Sequence, residues 1–259
     1  VVTGRQDGYL EPCGCAGLDR TKGGLMRRYS FFQELRSDRG WPVLAVDVGG
    51  ISKGFGRQAE LKFQTTVEAM RKMGYDAIAL GKGELRLPAG ELVSVAASVD
   101  GKPSAFVSAN VGLFGFASGL TATKRIVRAG GMTIGITAVL GEKYQKDIHN
   151  ADIEMSPPEA ALQKILPELQ KEKCDLLVLL AHATVDESLE LAEKFPDFDL
   201  VVTAGGVGEP PSTKGRTIGA KTLMVEVGEK GMGAVVLGVY DGVPRLRYQR
   251  VLFDSRYPN

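Results

Sequence analysis

Two hydrophobic periodicities alternate along the chain and lay out its elements. Leu25, Met26, Tyr29, Phe32 and Leu35 fall at helical spacing and predict a helix of about four turns, stopped by Gly40 and Pro42. Val43 to Val48 is apolar apart from one Asp, the form of a strand buried in a parallel sheet. A second helix, Leu61 to Met73, carries Phe63, Val67 and Met70 on one face and leads to a short strand, Ala77 to Leu80. A helix around Ala89 to Val99 and a strand near Ala105 to Ser108 come next. Thr123 to Arg128 and Met132 to Val139 flank Gly130-Gly131, a hairpin signal. Pro157-Pro158 opens a helix to about Lys173, with Pro167 inside it as an expected kink. Leu176 to Leu180 is an all-apolar strand ending in Ala181-His182. A helix, Val185 to Phe195, then leads to Leu200-Val201-Val202. Thr222 to Val227, Ala234 to Tyr240 and Leu246 to Phe253, separated by glycine turns, predict a closing antiparallel meander. The sum is a layered α/β sandwich with a mixed sheet, organised as one domain over residues 1–259. Val1-Val2-Thr3 reads as the end of a first strand, so the sequence is expected to begin inside a longer protein.

Composition adds constraints. The chain has 259 residues, 44% hydrophobic and 24% charged, which suits a soluble globule with a substantial core. A net charge of +1 supplies no global field for nucleic acid or an anionic membrane, so any anion site must be local. No apolar run approaches the roughly 20 residues of a membrane helix. Histidine is the decisive count: there are two, His149 and His182. Dinuclear centres of zinc-like metals rely on several imidazoles beside carboxylates, because such metals favour neutral nitrogen donors.

The segment Gly74 to Leu85, G-Y-D-A-I-A-L-G-K-G-E-L, resembles G-Y-D-A-V-A-L-G-N-H-E-F of the calcineurin-like metallophosphoesterases, most closely the 5′-nucleotidase branch. The resemblance runs through nearly the whole chain in order and implies that family's αββα sandwich. In that family the Asn of this motif ligates a metal and the His contacts the phosphate; here those positions are Lys82 and Gly83, followed by Glu84. Arg5-Gln6-Asp7-Gly8-Tyr9-Leu10-Glu11-Pro12-Cys13 resembles D-x-H-G-x-L-E-P-C, which puts Arg5 at the Asp ligand and Asp7 at the His ligand. Leu44 to Gly50 resembles L-L-D-A-G-D: the bridging Asp falls on Gly50, and Asp47 matches the earlier Asp. Gly205-Gly206-Val207-Gly208 resembles G-H-x-H, with Gly206 and Gly208 at the two histidines. Only His182, ending its strand, keeps the residue type. One imidazole does not hold a divalent ion, since metal sites use three or four protein ligands. The leading expectation is therefore a fold without its two-metal mechanism, with no cofactor within this chain.

Two further chemistries remain open. Cys13-Gly14-Cys15 can form a strained, easily reduced disulfide, bind a soft metal with other ligands, or simply pack in the loop. The E-P-C-G-C loop resembles a degenerate bacterial branch sometimes fused to multihaem cytochromes. That implies a redox-associated role, a cytochrome segment as partner and an extracytoplasmic, periplasmic setting; the chain itself has no C-x-x-C-H haem motif. Arg5 and Lys82, with open backbone N–H groups at the Gly49-Gly50 and Gly205-Gly206 turns, can hold phosphate without metal. The alternative is that both cations pair with Asp7, Asp47 or Glu84. The runner-up reading is a metal-dependent, 5′-nucleotidase-like phosphoester hydrolase that acquires ligands from a partner or a second domain, and the third is a metal-free phosphate or nucleotide binder. Cys174 is expected to be a core residue, His149 a surface one.

Overall fold

Strict alternation of side chains along short strands decides which layer each residue enters. The computed structural model describes every residue except 15, 16, 18–20, 97–103, 207 and 259. The first half contains β1 (Val2–Thr3), α1 (Leu25–Gln33), β2 (Val46–Asp47), α2 (Arg57–Lys72), β3 (Ala77–Ala79), α3 (Ala89–Ala96), β4 (Phe106–Val107) and β5 (Val111–Leu113). The hairpin β6 (Arg125–Ala129) and β7 (Met132–Leu140) follows, then α4 (Glu142–Gln145), β8 (Ile153–Met155) and α5 (Pro158–Lys171). The chain continues through β9 (Leu176–His182), α6 (Val185–Lys194), β10 (Leu200–Thr203), β11 (Arg216–Ile218), β12 (Thr222–Glu226), β13 (Gly233–Val239) and β14 (Leu246–Leu252).

The strands form two six-stranded sheets and the small pair β5–β8. The first sheet has the order β14-β13-β1-β2-β3-β4, with β1 to β4 parallel and β13 antiparallel to both its neighbours. The second has the order β11-β12-β10-β9-β7-β6, parallel from β12 to β7 and antiparallel at both edges. Val46, Ala77 and Ala79 face Ile136, Val178, Leu180 and Val202 across the space between the sheets. The intervening Ile78 turns outward to pack with Phe63 and Met70 of α2. Leu177 and Leu179 likewise turn outward to Leu162, Leu169 and Leu191 of α5 and α6. Helices therefore cover both outer faces, as the resemblance implied.

The predicted elements are present, with shifted ends. The strand expected over Val43 to Val48 is laddered only at Val46–Asp47, because β1 beside it offers two residues. The first helix is α-helical to Gln33 and then widens into a π turn over Glu34–Asp38. Pro167 does lie inside α5. The predicted helix end at Val99 falls outside the described residues. The closing meander is corrected: β12 joins the second sheet parallel to β10, and only β13 and β14 form an antiparallel hairpin, in the first sheet. Apolar runs separated by glycine turns do not specify which sheet each run joins. Strands β5, β8 and β11 have three residues each, too short to register as a periodicity. No helix among the described residues is long and apolar enough to cross a membrane.

Leu180 is fully buried between the sheets. Leu180→Ala is expected to lower unfolding free energy by about 2–5 kcal/mol in denaturant melts; a loss below about 1 kcal/mol would mean the interlayer core is not close-packed.

Candidate functional site

Parallel strands deliver their loops to one edge of a sheet, and that edge is where open α/β folds place ligands. Here the loops after β1, β2, β3 and β10, together with His182 at the end of β9, surround a cavity of about 480 Å³. Arg5, Asp7, Gly50, Lys82, His182 and Gly206 all line it, as the sequence grouped them. Asp47, Glu84 and Gly208 do not line it.

Asp47 is buried behind the cavity. It accepts from the Thr3 hydroxyl at 2.6 Å and the Gly49 amide at 2.8 Å, and lies 3.8 Å from the Arg28 guanidinium. Arg28, itself fully buried, also donates to Gln6 and caps the Phe253 ring. Burial pushes the Asp47 carboxyl above its usual range, opposed by Arg28 and the Thr3 bond. The sequence did not single out Arg28, since nothing in the α1 pattern distinguishes a buried arginine from a solvated one.

Glu84 fills the turn that was expected to offer open amides. Its carboxylate accepts from the backbone N–H groups of Gly50 (2.8 Å), Ile51 (3.2 Å), Ser52 (3.4 Å) and Gly81 (3.1 Å). Burial raises its pKa to about 7 despite those donors. At the other turn, the Gly205 amide donates to the Thr203 hydroxyl. The Gly49-Gly50 nest is thus filled by the protein's own oxygens, and at the second turn the Gly205 amide is taken.

The expected pairing of Arg5 and Lys82 with Asp7, Asp47 or Glu84 is also corrected. Arg5 donates to the Gly206 carbonyl at 2.6 Å and pairs with Glu229 at 3.2 Å. Lys82 pairs with Asp147 at 3.0 Å and lies over the Tyr144 ring. Asp7 instead accepts from the Lys230 amide, and its burial raises its pKa. Both cations reach partners distant in sequence, which no local motif could indicate.

His182 sits with its Nδ1 2.9 Å from the Val48 carbonyl. A carbonyl only accepts, so Nδ1 carries the proton and Nε2 is the acceptor nitrogen. Burial, with Arg5 and Lys82 nearby, pushes its pKa from 6.5 to about 4, so it is neutral at physiological pH.

The glycines that align with the family's ligand positions are closely approached by their neighbours. Gly50 has φ +79°, and a Cβ there would come within 3.1–3.3 Å of Arg5 and His182. A Cβ at Gly83 would overlap the Ser52 carbonyl oxygen, and one at Gly206 the Glu226 carboxylate. Among the described residues no three His, Cys, Asp or Glu side chains cluster as a metal site. Among the described residues, Asp7 and His182 are the ordinary metal-ligand side chains in the cavity lining.

Cys13 is buried, bridged antiparallel to Lys22 and away from the cavity lining; Cys15 lies outside the described residues. Cys174 is half-buried and His149 exposed. Sequence reasoning missed Ser52, Lys53, Arg86 and Tyr144, which line the same cavity. Ser52 and Lys53 directly follow the Gly49-Gly50 turn, so extending that motif by a few residues would have found them.

No family model matches the chain. The snake venom 5′-nucleotidase of Gloydius brevicauda is 27% identical over 93% of this chain and 42% of its own length. The solved 5′-nucleotidase precursor of Thermus thermophilus superposes with a TM-score of 0.79 at 24% identity, over 97% of this chain and 53% of its own. A calcineurin-like phosphoesterase from Bacillus subtilis gives 0.73 at 16% identity, over 100% of this chain and 91% of its own. The chain spans less than half the length of the curated relatives it matches.

Two outcomes check this geometry. Gly83→His, which restores the family residue, is expected to destabilise by about 1–3 kcal/mol or more through overpacking; a neutral melt would show that the Ser52 contact yields freely. For His182 the unfolded chain takes up a proton below 6.5 while the folded chain does not until about 4. Its contribution to stability therefore rises with pH across that window. Glu84 acts oppositely from about 4.5 to 7, because the folded state retains its proton longer. The wild-type advantage in melting temperature over His182→Gln should grow from pH 4 to 6.5 and then level off; a constant difference would contradict the buried neutral imidazole.

By sequence relatives and by structural neighbours alike, this chain has the fold of the 5′-nucleotidase-like, calcineurin-type metallophosphoesterases.

Proposed function

We propose that this is a metallophosphoesterase-fold domain that does not hydrolyse phosphate esters by the two-metal route of its relatives' fold family. One observation carries the reading: cations and glycines occupy the strand-end cavity where paired carboxylates and imidazoles would be needed. Among the described residues, Arg5, Lys53, Lys82 and Arg86 line it beside the carboxylate of Asp7 and the neutral His182, with Arg5 and Lys82 paired to Glu229 and Asp147. Two-metal catalysis needs ions to generate the hydroxide and to clamp the phosphoryl oxygens. Like-charged side chains oppose that occupancy, and Asp47 and Glu84 are engaged by Arg28 and by backbone amides.

The role we assign is non-catalytic, as a binding or interaction module. The venom relative supports an extracytoplasmic setting. No observation favours the redox-associated version over packing of Cys13 in its loop.

Purified protein incubated with manganese or zinc, then desalted, is expected to retain well under one equivalent of metal and to leave p-nitrophenyl phosphate intact. Two equivalents of retained manganese with turnover that chelation abolishes would overturn the proposal.

A further inference from the structure

The sandwich holds a second cavity, of about 370 Å³, at the end opposite the strand-end loops. It opens where the parallel strands begin. Leu176, the first residue of β9, lines it, whereas His182, the last, lines the strand-end cavity. The seven residues of β9 separate the two by roughly 20 Å, so they are distinct sites. Val46 and Leu237 of the first sheet and Ile134 and Val178 of the second form its walls, and no described residue in its lining carries a charge. Side chains normally close such a space to the density of an organic crystal. Apolar cavities of roughly 150 Å³ already take up benzene, and small-molecule sites run from about 300 to 1,000 Å³.

The mouth is aromatic and bears positive charge. Trp41, 45% exposed, and Tyr240, 48% exposed, belong to the lining and also meet solvent, as does Val239; Val243, in the turn that follows, is fully exposed. Each ring carries a guanidinium: Arg39 lies over Trp41 at 5.0 Å and Arg247 over Tyr240 at 4.2 Å. Arg39 is neutralised by Glu34. Arg247 forms no ion pair with a described residue, and its hairpin carries Arg245 and Arg247 against Asp241. An apolar interior with one uncompensated guanidinium at its entrance suits a ligand with an apolar body and a single negative charge. Two sheets about 10 Å apart leave a slot between them, which admits an unbranched chain end-on more readily than a folded surface or a bulky ring system.

We propose that this cavity binds the aliphatic chain of a free medium-length carboxylic acid, with the carboxylate at the mouth beside Arg247. Trp41 and Tyr240 close over the first methylenes, and the chain runs between the sheets towards Val46 and Val178. The site stands apart from the strand-end cavity, so its occupancy does not depend on what that cavity holds.

Trp41 is the one tryptophan of the chain, so its fluorescence reports on this mouth alone. Titration with octanoate, decanoate and decanol, each below its micelle or solubility limit, tests the proposal. The expected result is a saturable blue shift at one equivalent, tightening about threefold to fourfold per added methylene until the cavity is full. Arg247→Gln should weaken decanoate by up to about fivefold and leave decanol unchanged. Ala129→Phe and Leu237→Phe, at two lining positions on different sheets, should each abolish saturable binding while the ligand-free melting temperature stays level or rises. Either variant suffices if the other fails to fold, and calorimetry with decanoate on Trp41→Phe checks that the shift follows occupancy. No shift, a shift that never saturates, or binding undiminished in the filled variants would overturn the proposal. A shift with phosphatidylcholine vesicles but not with monomeric decanoate would overturn it in favour of a membrane surface. A shift that follows protein concentration without ligand, with a doubled mass, would overturn it in favour of a second copy. Equal affinity of decanoate and decanol would overturn the assignment of a carboxylate.

Discussion

The strand-end loops are organised by a buried carboxylate, that of Glu84, which gathers four backbone amides from two separate turns. A fully buried carboxylate is costly unless donors surround it. Once it is so surrounded, the loops after β2 and β3 cannot separate without exposing an unpaired anion. This is why Gly49 and Gly50 adopt positive φ, and why Gly81 and Gly83 approach the β2 loop too closely for any side chain. A glycine here is required by distance as much as by dihedral angle.

Behind that clamp lies a second charged device. Arg28 and Asp47 form a buried pair joined to Thr3, Tyr75 and Gln6. Such pairs contribute little net stability, but loss of either partner leaves an unpaired buried charge. The pair ties α1 to the ends of β1 and β2, beneath the cavity floor. The cavity thus has a fixed-charge framework made entirely by side chains. Arg5, Lys53, Lys82 and Arg86 place positive charge along its lining.

Side-chain charge changes what the pocket can do. A side-chain cation cannot activate water as a metal ion does. The imidazole that survives from the family pattern is held neutral by burial and by the neighbouring cations, with its proton committed to the Val48 carbonyl. It forms a wall of the cavity and carries no charge of its own.

Much of the architecture was legible from the chain because it depends on local rules. Helical and alternating periodicities marked out α1, α2, α5, α6 and the β6–β7 hairpin, and motif order placed Arg5, Gly50, Lys82, His182 and Gly206 in one cavity. What only the tertiary structure decided was partnership. It paired Arg5 with Glu229 and Lys82 with Asp147, buried Arg28 against Asp47, filled the glycine nest with Glu84, and sent β12 and β13 to different sheets. The physical reason is range: propensity and periodicity act over a few residues, whereas charge pairing and strand order are settled by whichever groups the folded chain brings within a few ångströms.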